Sequence, residues 1–477
     1  MKRKKAIEIA IVSTVFAATV LAWPLTAVTL VFGEGDLYSE TFLGGMKLKR
    51  DLLKKEGGKR LIFVGGSALP FGLRGDLIER EIPGYSVIDF GLYAALGTDV
   101  MLNLALPHVR ENDVIVVSPE QSAQTMSTYF SARLTWQALN DNKDGLRDLS
   151  SDQKKMMFGS ASDFGAEKFS YLASATKPEG EGVYQRKYFN EYGDIESELI
   201  QGNIMPGGYN PSQMISFSDA TIEKDFIDHM NEFAEEAYRK GAKTYYWFAP
   251  SNRSAVENEG DVDAFYDYLN GNIDFGILGD PHQSIFEKEW FFDTNYHLNA
   301  QGAIKNTKRF VMDYKAETAD SSKTDIEVPA APDLINPESG TGDNSFLEHF
   351  VIEEGEDSAS IVGLKDSGKA LKSITVPYSF NEKTITRFAK STFQSLTGLE
   401  TIALQSNIAL IEDESFSGCS SLQRIEIHNP SPSSIAIGDK LLKGTDASIY
   451  VPADALGAYV SNYSFARYAD RIFALGD

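Results

Sequence analysis

The chain of 477 residues holds a single cysteine, Cys419. An internal disulfide framework and a multi-cysteine metal site both need more, so both are excluded. Basic residues are few: 45 Lys and Arg stand against 68 Asp and Glu, giving a formal charge of −23 and a pI near 4.8. Nucleic acid as the main partner is disfavoured, because phosphate binding needs a basic face. Histidines number six, and no His/Asp/Glu cluster has metal-ligand spacing. Asp89 and Glu120 end two neighbouring predicted strands, but such carboxylate pairs are common in α/β folds without a metal. Neither a metal nor a cofactor is expected. What is plentiful is apolar material, 42% hydrophobic residues with 11% aromatic, which excludes a mainly disordered chain. At ~100–200 residues per domain the length allows two to four domains.

Charge is wholly missing from Ile9 to Gly33, a run of 25 residues preceded by Lys2-Arg3-Lys4-Lys5 and followed by Glu34 and Asp36. A membrane-spanning helix needs ~20 apolar residues, and a cleaved signal peptide has a shorter apolar core and a small-residue cleavage site. Residues 1–33 therefore read as a basic cytoplasmic stub and an uncleaved signal-anchor. The basic flank sets the N-terminus inside, so the bulk of the chain is expected outside the cell membrane, spanned once. Without those four basic residues the rest of the chain holds 41 basic and 68 acidic residues, a charge of −27.

Residues 34–315 alternate short apolar runs with helical patterns. Predicted strands are Lys59–Val64, Tyr85–Phe90, Asp113–Val117 and Thr244–Phe248. Predicted helices are Leu73–Glu81, Leu92–Val109, Ile222–Lys240 and Ala300–Tyr314, the third stopping at Gly241. Strands alternating with helices imply a parallel sheet covered on both faces, with ligands at the C-terminal strand ends. About residues 121–220 break this rhythm and read as an insertion placed as a lid or collar. Residues 316–344, polar and punctuated by Pro329, Pro332 and Pro337, read as a linker.

Residues 345–477 repeat. Leu399, Ile402 and Leu404 recur as Leu422, Ile425 and Ile427, an offset of 23, and Leu371, Ile374 and Val376 form an earlier copy spaced by 28. Such a period on L-x-x-L-x-L marks a leucine-rich repeat whose inward residues share one core. Cys419 falls on a repeat position and reads as a small core residue. Phe393 and Phe416, Gly418-Cys419 and the ending Ile449-Tyr450-Val451-Pro452 with Tyr459 resemble the BspA-type leucine-rich repeats of bacterial surface proteins. That resemblance implies a solenoid that binds a protein, a glycan or the cell envelope; a passive spacer is the alternative.

The N-terminal module resembles the SGNH/GDSL hydrolase superfamily, with blocks in the family's order over about 260 residues. Gly65-Gly66-Ser67 follows the first strand, Phe90-Gly91-Leu92 the second and Ser118-Pro119-Glu120 the third. Asp293-x-x-x-His297-Leu298-Asn299 forms the last block. The resemblance implies a flavodoxin-like three-layer fold, Ser67 as nucleophile, His297 as base and Asp293 as its orienting carboxylate. Serine needs such a base before it attacks. The physical reading agrees, because Ser67 sits at a strand end where helix N-terminal amides stabilise an oxyanion. Two positions depart from the family. Asp293 precedes His297 by four residues rather than three, where Thr294 stands, and Glu120 replaces an asparagine of the oxyanion hole. The hole then rests on the amides of Ser67 and Gly91, with Gln121 and Asn252 as side-chain donors.

The sequence thus points to a membrane-anchored extracellular esterase or O-acyl transferase acting on acylated wall or surface polysaccharide, with a repeat module for binding. The alternative is a surface adhesion or scaffold protein whose hydrolase domain is degenerate. A third reading is a repeat binder whose hydrolase domain works only in complex.

Overall fold

The computed structural model describes residues 31 and 33, residues 36–332 apart from 56, 181 and 212, residue 334, and residues 344–475 apart from 356, 357, 382, 406, 453, 454 and 463. The charge-free run read as a membrane anchor therefore lies almost wholly outside the described residues. Among those described, no helix is long and apolar enough to cross a membrane. Two compact units form: one runs through Gln201 and resumes over Met214–Ala331, and the other joins Gly202–Gln213 to the chain from Pro332 onward.

The first unit is built on five parallel strands, β1 (Lys59–Gly65), β2 (Tyr85–Gly91), β3 (Val114–Ser118), β4 (Lys243–Trp247) and β5 (Gly276–Leu278), in the order β2-β1-β3-β4-β5. The helices are α1 (Gly45–Lys54), α2 (Gly75–Glu81), α3 (Thr98–Ala105), α4 (Ala132–Ala138), α5 (Ser151–Gly159), α6 (Ala161–Ser174), α7 (Lys224–Arg239), α8 (Val262–Asn272) and α9 (Ala300–Glu317). The interior of β1 is apolar on both faces because both are covered. Leu61 and Phe63 join Val116, Trp247, Ile78 and Phe310 in one core, under α2 and α9. Ile62 and Val64, equally buried, face the other way, where α1, α3 and α7 pack on β2, β1 and β4.

Predicted elements return with moved ends: β1 and β2 are one residue longer, β3 and β4 are shifted by one, and α2 and α7 are shorter. The region after Ser67 differs: residues 67–72 form turns, and α2 starts only at Gly75. The pattern Leu92–Val109 splits into a short 3-10 turn at Ala94–Leu96 and α3. α9 runs three residues past the predicted end, into the stretch read as linker. Ile326 of that stretch is buried in the α/β core, and the amide of Asp325 donates to Glu81 Oε2 (3.0 Å), so the chain stays anchored at least that far.

In the second unit one parallel sheet orders Ser373–Thr375, Thr401–Leu404, Arg424–Ile427, Ser448–Val451 and Ile472–Ala474. Its register pairs Ile402 with Ile425 and Ile425 with Ile449, so each repeat places its apolar residue above the last. A second sheet runs along Phe350–Glu354, Ser358–Leu364, Lys383–Phe388, Leu410–Ile411 and Ala436–Ile437. Phe393 and Phe416 stack between the layers at 5.3 Å. Cys419 is fully buried there, its thiol 3.0 Å from the Phe393 carbonyl and pushed up in pKa by burial.

Candidate active site

The C-terminal end of β1 stands next to that of β3, and this close approach demands small residues on the β1 side. A Cβ on Gly65 would lie 2.2 Å from the Ser118 carbonyl oxygen, and one on Gly66 would lie 2.7 Å from Glu120 Oε1. These glycines let the turn carrying Ser67 close against the end of β3. Ser67 itself is 3% exposed.

His297 comes from the other side, on the loop before α9. Thr294 Oγ1 accepts from the amides of Tyr296 (3.2 Å) and His297 (3.0 Å), which forms a tight turn. Asn299 caps α9 through Gly302 N–H (2.9 Å) and clamps the loop by donating to the carbonyls of Glu289 (2.7 Å) and Phe291 (2.9 Å). Phe71 stacks on the imidazole at 4.1 Å and 4° between planes, fixing the ring's orientation.

The outcome is a continuous chain. Ser67 Oγ lies 2.8 Å from His297 Nε2, and His297 Nδ1 lies 2.8 Å from Asp293 Oδ1. A carboxylate on Nδ1 selects the Nδ1–H tautomer and leaves Nε2 free to accept the serine proton. The four-residue spacing of Asp293 is no obstacle, because the Thr294 turn folds the carboxylate back under the ring. Ser67, His297 and Asp293 are therefore brought together.

The expected oxyanion donors fare differently. Residues 67–72 form a turn and the helix starts only at Gly75, and the Ser67 amide is hydrogen-bonded to Glu120. The Gly91 amide donates to Asp89 Oδ1 at 2.6 Å, so it is already engaged. Gln121 turns its amide to the Ser216 carbonyl (3.0 Å), and Asn252 uses its side-chain oxygen to accept from Ser254 N–H (3.1 Å). Neither of these contacts involves Ser67. What faces Ser67 is Glu120, whose Oε1 accepts from Ala68 N–H at 2.8 Å and lies 3.2 Å from Ser67 Oγ. Burial pushes the Glu120 carboxyl up in pKa, while His297 and these hydrogen bonds pull the other way.

Tyr184 is a site residue the sequence did not disclose. It rises from the insertion, donates its hydroxyl to Asp293 Oδ2 and lies 3.2 Å from His297 Nδ1. Burial and the Asp293 charge hold its phenol protonated. Phe42 and Phe71 flank it at 5.3 and 5.6 Å. Only its membership of a Tyr- and Phe-rich insertion gave a signal.

Asp89 belongs to a separate buried cluster. Lys49 Nζ donates to Gly193 O (2.7 Å) and Asp89 O (3.1 Å) and lies 3.4 Å from Asp89 Oδ1. Asp194 joins them and accepts from Gly75 N–H at 2.7 Å. Among the described residues no group of three or more His, Cys, Asp or Glu is arranged to hold a metal.

Comparison with known proteins supports the repeats independently. A search of curated proteins finds no match to the chain. Residues 367–468 match the model of the BspA type leucine rich repeat region, in six copies, so this part of the chain is a leucine-rich repeat module of that type.

Proposed function

We propose that the α/β unit is a flavodoxin-like, SGNH-type serine hydrolase domain, an esterase or O-acyl transferase. The observation that carries this is the hydrogen-bonded chain Ser67–His297–Asp293 at the C-terminal edge of a parallel sheet ordered 2-1-3-4-5. In this reading Ser67 Oγ attacks the ester carbonyl and its proton passes to His297 Nε2. The imidazolium, balanced by Asp293, returns that proton to the departing alcohol. Water or an acceptor hydroxyl then releases the acyl group from Ser67. Reading the charge-free run 9–33 as a membrane anchor and the repeats as a binding module supports a substrate outside the cell, an acylated wall or surface polysaccharide.

The test treats the purified ectodomain with a fluorophosphonate probe and an aryl acetate beside Ser67→Ala. Labelling and turnover that vanish in the variant are expected. A wild-type chain that takes no label over pH 5–9 overturns the reading. It would favour the second one, a surface adhesion protein with an inactive hydrolase domain, for which Glu120 beside Ser67 speaks.

A further inference from the structure

A buried carboxyl sits where a serine hydrolase stabilises negative charge. Glu120 Oε1 is 3.2 Å from Ser67 Oγ and takes the Ala68 amide at 2.8 Å. The backbone amide of the residue after a strand-end serine nucleophile is an oxyanion donor, so a tetrahedral intermediate on Ser67 would turn its oxyanion, about 2.7–3.1 Å from its donor, toward that same amide. The amide accommodates one acceptor at a time. An ionised Glu120 therefore does two things to the reaction: it occupies the donor, and it sets a second negative charge against the oxyanion in a water-poor site.

Resting on the serine hydrolase reading, we infer that Glu120 is a protonation-controlled gate on the oxyanion position. Ionised, it holds the Ala68 amide against the substrate; protonated, it yields the amide and donates its own O–H to the substrate carbonyl oxygen. The carboxyl thus does in its acid form what a neutral amide side chain does in a permanently open hole. In the acylation step the Ser67 proton goes to His297 Nε2 and the carbonyl π pair moves onto oxygen. Glu120 shares its proton with that oxygen and keeps it when the intermediate collapses.

The surroundings fit the acid form. Glu120 is 4% exposed, and burial favours its neutral state. The titratable groups that face it are His297 on the loop before α9, Tyr296 one residue earlier, Tyr184 from the insertion and Tyr93 after β2. The three tyrosines remain neutral beside it, each pushed up in pKa by burial and by the charge of Glu120. His297 is the one group in this set that favours the carboxylate, and only while it carries a proton. The reactive form needs a neutral His297 to take the Ser67 proton and a protonated Glu120 to release the Ala68 amide, so the rate is lost once Glu120 ionises.

The experiment follows fluorophosphonate labelling and aryl acetate turnover of the purified chain from pH 5 to 9, with background hydrolysis subtracted. A histidine base alone gives a rate that rises to a plateau. The gate gives a rate that rises and then falls at least tenfold by pH 9. In Glu120→Gln the fall is gone, and labelling at pH 8.5 exceeds wild type at least tenfold. The wild-type profile is decisive by itself should the variant not fold. A labelled wild type with a flat plateau, or a folded Glu120→Gln that keeps the fall, overturns the gate and leaves the hydrolase intact. A chain that takes no label at any pH, wild type and variant alike, overturns both.

Discussion

Two side chains act on the Nδ1 side of the His297 imidazole, and each has its own signature. Asp293 holds the Nδ1–H tautomer. In Asp293→Asn the ring is free to present the wrong nitrogen, and kcat/KM on an aryl acetate is expected to fall by about 10³–10⁴-fold. A loss under tenfold would mean that Asp293 is not the orienting carboxylate. Tyr184 donates to the other oxygen of Asp293, a hydrogen bond to a charged acceptor of about 1.5–3 kcal/mol. Tyr184→Phe leaves that oxygen of Asp293 without its donor and lets the carboxylate turn away from Nδ1, so kcat/KM on an aryl acetate is expected to fall about 10-fold or more. A loss under about threefold would reduce Tyr184 to packing. Ser67, His297 and Asp293 were legible because strand ends and a D-x-x-x-H-L-N block announce them. Tyr184 was not, because it lies 109 residues from its partner in a stretch without periodicity. Glu120 was legible as a departure, but whether it faced Ser67 or turned away is a rotamer question that no spacing answers.

At the scale of elements, legibility follows burial. β1 and β3 are apolar through their interiors on both faces, and β2 departs only at Ser86 and Asp89, so such runs stand out in a sequence. β5 is three residues, Gly-Ile-Leu, too short to form a run. α5 buries only Gln153 and Met157, so it has no apolar stripe to detect. The predicted helix from Leu73 begins late because residues 68–72 are held as a turn, with Gly72 N–H on the Leu69 carbonyl (2.9 Å) and Phe71 stacked on His297. Asn299, the end of the D-x-x-x-H-L-N block, caps α9 and also ties the loop carrying His297 to it. Asn299→Ala should therefore lower stability by about 1–2 kcal/mol from the lost cap. It should also slow Ser67 labelling at a temperature where the variant is fully folded. Lower stability with an unchanged labelling rate would separate the cap from the clamp and refute the second part.

For the whole molecule, the repeat period was readable because every repeat buries the same slots. Ile402, Ile425 and Ile449 pair across successive strands, each at most 1% exposed. Net charge is readable too, but not where it is buried, and Lys49, Asp89 and Asp194 form such a hidden group. All three side chains are sequestered, and burial raises both carboxyls, Asp89 to about 6 and Asp194 to about 8, with the Asp89 charge adding to the rise at Asp194. Both start near 3.8 in the unfolded chain. Between about pH 4 and pH 8 the folded protein thus keeps protons that the unfolded chain releases. Stability from this cluster is complete below about pH 4 and falls as pH rises, by up to about 1.4 kcal/mol per pH unit for each proton that differs. The lowered pKa of Lys49, caused by burial, acts in the opposite sense toward its unfolded value of 10.5. Other carboxyls such as Asp144 and Glu426 are held low by Lys54, Arg50 and Arg424 and contribute stability that is lost toward acid. A single pH curve mixes all of these, so a variant must isolate the cluster. Asp194→Asn keeps the shape and removes the titrating group. Its urea midpoint should trail wild type at pH 5 and close on it, or overtake it, by pH 8, the gap shifting by at least about 2 kcal/mol. A gap constant over that range would mean that Asp194 is ionised in the folded protein and that Lys49 alone balances two buried negative charges.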